Sequence, residues 1–305
     1  MPEGAPSWNL VADLQDLLRF HFMQNALLAG TIVAVVAGLV GYFMVIRSAS
    51  FAGHTLANVG FAGAAGAALV GVTPVVGLLA FGMLAALGIG ALGARSSRGW
   101  NRSEVAVGTI LALALGLGLL FERLATVSAN YVYAVLFGSV LGISDAEVAQ
   151  IALMSALTLV ALALLGRPLL FASLDPEVAA ARGVPVRLLS YLFLALLAFA
   201  VAEAVQVTGV LLIFALLVTP AATALQLSAR PACALALAAA IGLLVTYAGL
   251  VMAYYMPYPV GFFITTFAFG LYLVARITRA GMRWFALRRG DAGQVAANGN
   301  VGAAL

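Results

Sequence analysis

Residues 173–185 read SLDPEVAAARGVP, a charged island in a chain that is otherwise overwhelmingly apolar. Asp175 suits the cap of a helix, Pro176 its first position, and Gly183 a left-handed exit, so a short helix is marked at both ends. Around it, 64% of the 305 residues are hydrophobic and only 9% are charged. The mean hydropathy is +1.12. A soluble domain carries roughly 25% charged residues. This chain has too little polar surface to face water, so its main solvent is the bilayer. The fold class expected is all-α, a polytopic membrane protein, with the capped helix where the chain returns to water.

Apolar runs fall near 25–46, 51–71, 75–94, 104–121, 147–165, 187–204, 207–227, 232–253 and 259–277. Most approach the roughly twenty residues that cross the hydrocarbon core. They predict about nine transmembrane helices, with eight to ten compatible with the pattern, since only EAVQVTG separates the sixth and seventh. Arginine placement orients them. Arg47 follows the first run; Arg95, Arg98 and Arg102 crowd one loop; Arg167, Arg182 and Arg187 share another. Arg230 sits in a short connection, and Arg276, Arg279, Arg283, Arg288 and Arg289 follow the last run. With nine passes these arginines share one side, which the positive-inside rule makes cytoplasmic. The expected division is an interfacial N-terminal segment over 1–24, a transmembrane domain over 25–280, and a cytoplasmic basic end and flexible tail over 281–305. Gly30, Ala34 and Gly38, and again Gly82, Ala86 and Gly90, repeat at the spacing that lets helices pack closely in lipid.

Composition also excludes. The net charge of +4 is scattered and gives no nucleic-acid surface. Cys233 is the single cysteine, so neither an intrachain disulfide nor a cysteine metal cluster can form. There is no Lys, hence no phosphate-binding loop of the Gly-rich type that ends in Lys, and no intrinsic ATPase. The N-terminus lacks a basic region and a clear cleavage site, so the first run reads as a retained span.

The capped helix is too short to be stable alone and must dock. It could dock on this chain's own helix ends or on a soluble partner. Three stretches bear on the choice. FASLDPEVAAARGVPVRLL resembles the SFDPELARALG-P loop of the ABC-type zinc/manganese/iron importer permeases. YAVLFGSVLGIS, Tyr133 to Ser144, is similar to the family's YLFG-I-GIS. TGVLLIFALLVTPAATA, Thr208 to Ala224, is similar to VGVLLVFALLVTPAATA. Order and spacing agree over residues of about 25 to 280. The resemblance implies that the helix sits in a cleft of a separate ATP-binding cassette subunit and transmits its closure. Leu174, Asp175, Pro176, Glu177, Ala181 and Gly183 would then form the coupling element. It further implies a second permease copy, making a homodimer in the cell membrane, and an extracellular or periplasmic metal-binding protein that delivers the ion. No cofactor is held tightly; zinc or another divalent metal is the transported substrate.

Ionisable residues inside spans are costly and are functional candidates. His54 lies near the start of the second run. Aligned on the family's S-L-x-G-D-A-L-S-H pattern, His54 takes the place of its Asp and Asn58 that of its His. The two are one helical turn apart, so both project from one face. Imidazole suits zinc, and loss of the carboxylate disfavours manganese. A histidine bonded to a backbone carbonyl is the alternative. Glu203, near the outer end of the sixth run, could line the path, pair with Gln206, or lie at the headgroup level. His21 precedes the first run and fits the interface. Asp145 and Glu147 read as the cap and first-turn acid of the fifth helix, or as contacts for the binding protein. Rival functions are an ion-gradient-driven secondary transporter, with Glu203 as proton carrier, or an ABC permease for a siderophore or cobalamin. An intramembrane zinc protease would need a His-Glu-x-x-His pattern, which two His at positions 21 and 54 exclude.

Overall fold

A computed structural model describes residues 19–94, 101–125, 135–138, 140–210 and 212–301, with side chains at 101–103, 141 and beyond 281 left aside. The expected N-terminal segment up to residue 18, Arg95, Arg98 and the tail side chains fall outside that description. The described elements are α1 (His21–Ile46), α2 (Ser50–Val70), α3 (Pro74–Ala94), α4 (Asn101–Ala125), a 3₁₀ turn (Val140–Gly142), α5 (Asp145–Leu174), α6 (Pro176–Ala181), α7 (Val186–Thr208), α8 (Ile213–Leu217), α9 (Thr219–Leu227), α10 (Pro231–Tyr255) and α11 (Val260–Val301). All are helical, as the sequence predicts.

Seven helices are long and apolar enough to cross a membrane: α1, α3, α4, α5, α7, α10 and α11. Two of the expected runs take other forms. The second becomes α2, 21 residues long but diluted by Gly, Ala, His54 and Asn58. The seventh becomes a broken pair, α8 and α9, interrupted at Val218 before Pro220. Proline removes a backbone donor and crowds the preceding turn, which is why the break falls there.

Contacts show that the chain runs back and forth between two ends. Gly30 packs on Thr246, Ala34 on Gly242 and Gly38 on Ala238, so α1 and α10 are antiparallel. Gly63 and Gly77 bring α2 and α3 into backbone contact. The small-residue rows therefore do what their spacing predicts: a Cβ on Gly38 would lie 2.8 Å from the Ala238 carbonyl. Without a hydrophobic force between helices in lipid, this close van der Waals fit supplies much of the cohesion. At one end Arg47 donates to Ser173 of α5 (3.1 Å) and Ser190 of α7 (2.8 Å), and Arg279 donates to Gln226 (2.9 Å). At the other, His21 meets Asp145, and Phe20 packs near Tyr254. Arg47 and Arg279 thus lie at the opposite end from the aromatic YYMPYPVGFF stretch.

The end away from Arg47 holds two chain crossings, at Gly138 and at Gly209. Gly138 (φ +78°) and Gly209 (φ +76°) press together there, and a Cβ on either would strike the other segment's backbone. Val210 N–H donates to the Val135 carbonyl (3.1 Å). The two glycines thus let these backbones cover one another, as irregular backbone within a membrane protein requires where lipid would otherwise reach it.

Candidate functional site

The capped helix forms as read. Asp175 Oδ1 accepts from Val178 N–H (2.9 Å), Pro176 holds the first position, and Gly183 leaves with φ +80°. Val184 N–H closes the exit on the Ala179 carbonyl (3.0 Å). One side chain anchors α6 to the body: Ala179 is fully buried, while the Arg182 guanidinium stands 5.9 Å from the Phe171 ring. The opposite face is open. Leu174 is 67% exposed, Val178 is 42% exposed, and Glu177 and Ala181 face outward with them. The helix thus rests on its own chain and still presents an apolar pair beside an acid.

His54 and Asn58 do share one face of α2, both half-buried. Asn58 Nδ2 donates to the His54 carbonyl (2.9 Å) and stands 3.3 Å from His54 Nε2. The imidazole meets Phe214 of α8 edge-on, at 6.1 Å between ring centres. Met44, Gly53, Ile213, Leu217 and Val218 enclose the same small recess, one turn from the arginine end. The buried Met44 thioether packs against Gly53, a donor that sequence reasoning missed. It follows an ordinary apolar run, so only its place opposite His54 singles it out. An imidazole and an amide make a weak, open ligand set for a borderline cation. Among the described residues, no three His, Cys, Asp or Glu side chains converge as a metal centre.

Glu203 lies elsewhere, in the last turns of α7 away from Arg47, completely buried. Its partners are on α5: Ser155 Oγ donates to Oε2 (2.7 Å) and Thr158 Oγ1 to Oε1 (2.6 Å). Gln206 instead donates to the Ala202 carbonyl (3.2 Å). His54 and Glu203 belong to different ends of the bundle and do not form one site.

At the end away from Arg47, Ser144 is the cap of α5, with Glu147 closing a reciprocal capping box; Asp145 is the first helical residue rather than the cap. Asp145 Oδ1 accepts from Asn25 Nδ2 (2.6 Å) and pairs with His21 Nε2 (2.8 Å). Next to this cluster a cavity of about 480 Å³ opens between Phe137, Val140, Thr208, Leu212 and Phe262.

A helical bundle with seven membrane-length helices among its described residues, a broken apolar pair and a protruding capped helix has the form of a polytopic membrane protein. Residues 19–279 match the ABC 3 transport family. The chain belongs to that family. It is 32% identical over 248 residues to the manganese import system permease protein ScaB of Streptococcus parasanguinis, covering 81% of this chain and 87% of the relative. It is also 32% identical over 216 residues to a protein of Haemophilus influenzae described as a probable iron transport system membrane protein, covering 70% and 78%. Among solved structures, PsaBC from Streptococcus pneumoniae in complex with Fab superposes with a TM-score of 0.78 at 30% identity, covering 87% of this chain and 95% of that one.

Proposed function

We propose that this chain is the translocation subunit of an ATP-driven importer for a divalent transition metal, zinc ahead of manganese or iron. The observation that carries this reading is α6 with the junction leading into it: a capped helix at the arginine end, anchored by Ala179, with its Val178 and the preceding Leu174, the last residue of α5, turned outward. An exposed apolar pair spanning the α5–α6 corner is suited to a cleft in a soluble subunit. The chain pairs with a second copy, and a separate ATP-binding cassette subunit grips each α6. The arginine end and the C-terminus face the cytoplasm, supported by Arg47, Arg182, Arg187, Arg230 and Arg279 lying together there.

The ion is handed over by an extracellular binding protein near Asp145 and Glu147 and enters beside the 135–142 and 209–212 segments. It passes Glu203 when Ser155 and Thr158 release the carboxylate, then meets His54 and Asn58 before leaving to the cytoplasm. Weak coordination suits a route that must let its ion go. Zinc rests on the imidazole at position 54. Manganese is the second reading, favoured by the ScaB name of the relative.

Uptake of radioactive zinc and manganese, in cells with all partner subunits and with or without this chain, tests both. Zinc uptake lost on deletion supports the first reading. Manganese uptake lost alone keeps the permease and overturns zinc. Neither lost, together with failure of an ATPase to co-purify, leads to the gradient-driven transporter.

A further inference from the structure

The turn between α1 and α2 joins the coupling end of the molecule to the helix that carries His54. Arg47 is the last residue before that turn, and its guanidinium ties three helices. Nη1 reaches Ser173 Oγ at the end of α5, two residues before the Asp175 cap of α6. Nη2 reaches Ser190 Oγ in the first turns of α7, and the cation lies 5.1 Å from the Phe193 ring centre. Both serine hydroxyls also donate to their own helices, Ser173 to Leu169 and Ser190 to the Val186 carbonyl (3.0 Å). They are therefore free to accept from Arg47 without reorienting.

Two features make this more than a structural clamp. First, the half-buried cation has no carboxylate within ion-pair distance among the described residues; its partners are two neutral hydroxyls and an aromatic face. Burial lowers its pKa below the usual arginine value, a cost that a carboxylate partner would have offset. Neutral acceptors hold a cation less tightly than a carboxylate does, so the tie can be broken and remade. Second, Arg47 lines a cavity of about 360 Å³ that also takes in Glu104, Arg187 and Tyr191. The guanidinium has room to leave the serines, with a carboxylate in the same space to meet it.

The path from Arg47 to the metal face is short and stiff. Ser48 is held at φ +53°, a conformation that costs a side-chain-bearing residue. Ala49 N–H is bound to the Met44 carbonyl (2.8 Å), and Gly53 N–H to Ala49 (3.0 Å). His54 follows at once, across from Met44 of the same elbow. A displacement of Arg47 therefore moves both Met44 and His54.

We infer that Arg47 is a positioning residue that transmits movement of α5 and α6 to the His54 face of α2, by switching between the Ser173–Ser190 seat and the Glu104 side of the adjoining cavity. The inference rests on the reading of α6 as the coupling element.

The test uses the full complex, with its ATPase and loaded binding protein, in proteoliposomes, and reads metal moved per ATP hydrolysed. Arg47→Gln is expected to lower that ratio tenfold or more while the ATPase subunit stays bound, and Arg47→Lys to recover part of it. Ser173→Ala with Ser190→Ala, which leaves the arginine in place, is expected to lower the ratio as well and guards against an Arg47 variant that does not fold. A ratio within twofold of the parent in Arg47→Gln, or in the double serine variant if Arg47→Gln does not fold, overturns the inference. Leu174→Glu with Val178→Glu is the control for the underlying reading and should release the ATPase subunit. If it does not, the coupling reading fails and takes this inference with it. If it does while the Arg47 ratio is normal, the inference fails alone.

Discussion

Glu203 shows how differently one residue reads in a sequence and in three dimensions. A carboxylate inside a span is a candidate by cost alone. What the sequence could not show is that Ser155 and Thr158, 48 and 45 residues away, arrive with hydroxyls for both of its oxygens. No periodicity encodes that meeting; it depends on the rotation of α5 against α7. Two substitutions separate its roles. Glu203→Leu leaves the Ser155 hydroxyl buried without its partner and should cost about 1–3 kcal/mol, read as a lower Tm in detergent. Glu203→Gln can keep both contacts, its oxygen accepting from Ser155 and its amide nitrogen donating to Thr158 Oγ1, whose hydrogen then goes to the Met154 carbonyl (3.0 Å), so a near-normal Tm with uptake reduced roughly tenfold, equivalent to about 1.4 kcal/mol, is expected for a path carboxylate. Normal uptake in the Gln variant would leave Glu203 as an interhelical tie. His54 and Asn58 were legible as a pair because one helical turn fixes their common face. Their enclosure by Phe214 and Met44 was not, since it needs the broken helix to come alongside. The His54→Ala, Asn58→Ala double variant is expected to lose most metal uptake with normal membrane abundance; unchanged uptake removes both from the route.

At the scale of elements, α6 was the most legible piece of the chain. Its cap, first-turn proline and exit glycine act within a few residues of one another, so local chemistry decides them without help from the fold. Asp175→Ala should cost the helix about 1 kcal/mol and Gly183→Ala a similar 1–2 kcal/mol, the latter because φ +80° crowds a Cβ. Neither should move the Tm of the bundle much, since Ala179 alone is buried from α6. Both should weaken capture of the ATPase subunit in a pull-down, and unchanged capture by both variants would argue against a coupling role. The seventh pass was the least legible. Its composition predicts a span, and Pro220 marks a boundary, but the division into α8 and α9 also depends on packing. Gly41 meets the Leu217 carbonyl backbone to backbone at the break, which no local pattern in either segment announces.

For the whole molecule, arginine placement and the count of runs together were enough to fix the alternation of ends. The antiparallel α1–α10 contact and the Arg47 and Arg279 ties follow the same order. Orientation in the membrane is open to direct measurement. In a Cys233→Ala background, Tyr258→Cys is expected to react with a membrane-impermeant maleimide in intact cells, and Arg182→Cys only in inverted vesicles. The reverse pattern would invert the proposed topology and, with it, the side on which α6 meets an ATPase.

The Gly138–Gly209 contact also has a consequence for the order of synthesis. Gly138 leaves the ribosome some seventy residues ahead of Gly209, whose backbone packs against it in the finished bundle. The bundle therefore cannot be completed span by span as each helix enters the bilayer. Its earlier loop must wait, incompletely covered, until the later pass threads in beside it. A chain truncated before residue 207 would carry that loop exposed at the outer mouth, marking it as a recognisable substrate for membrane quality control.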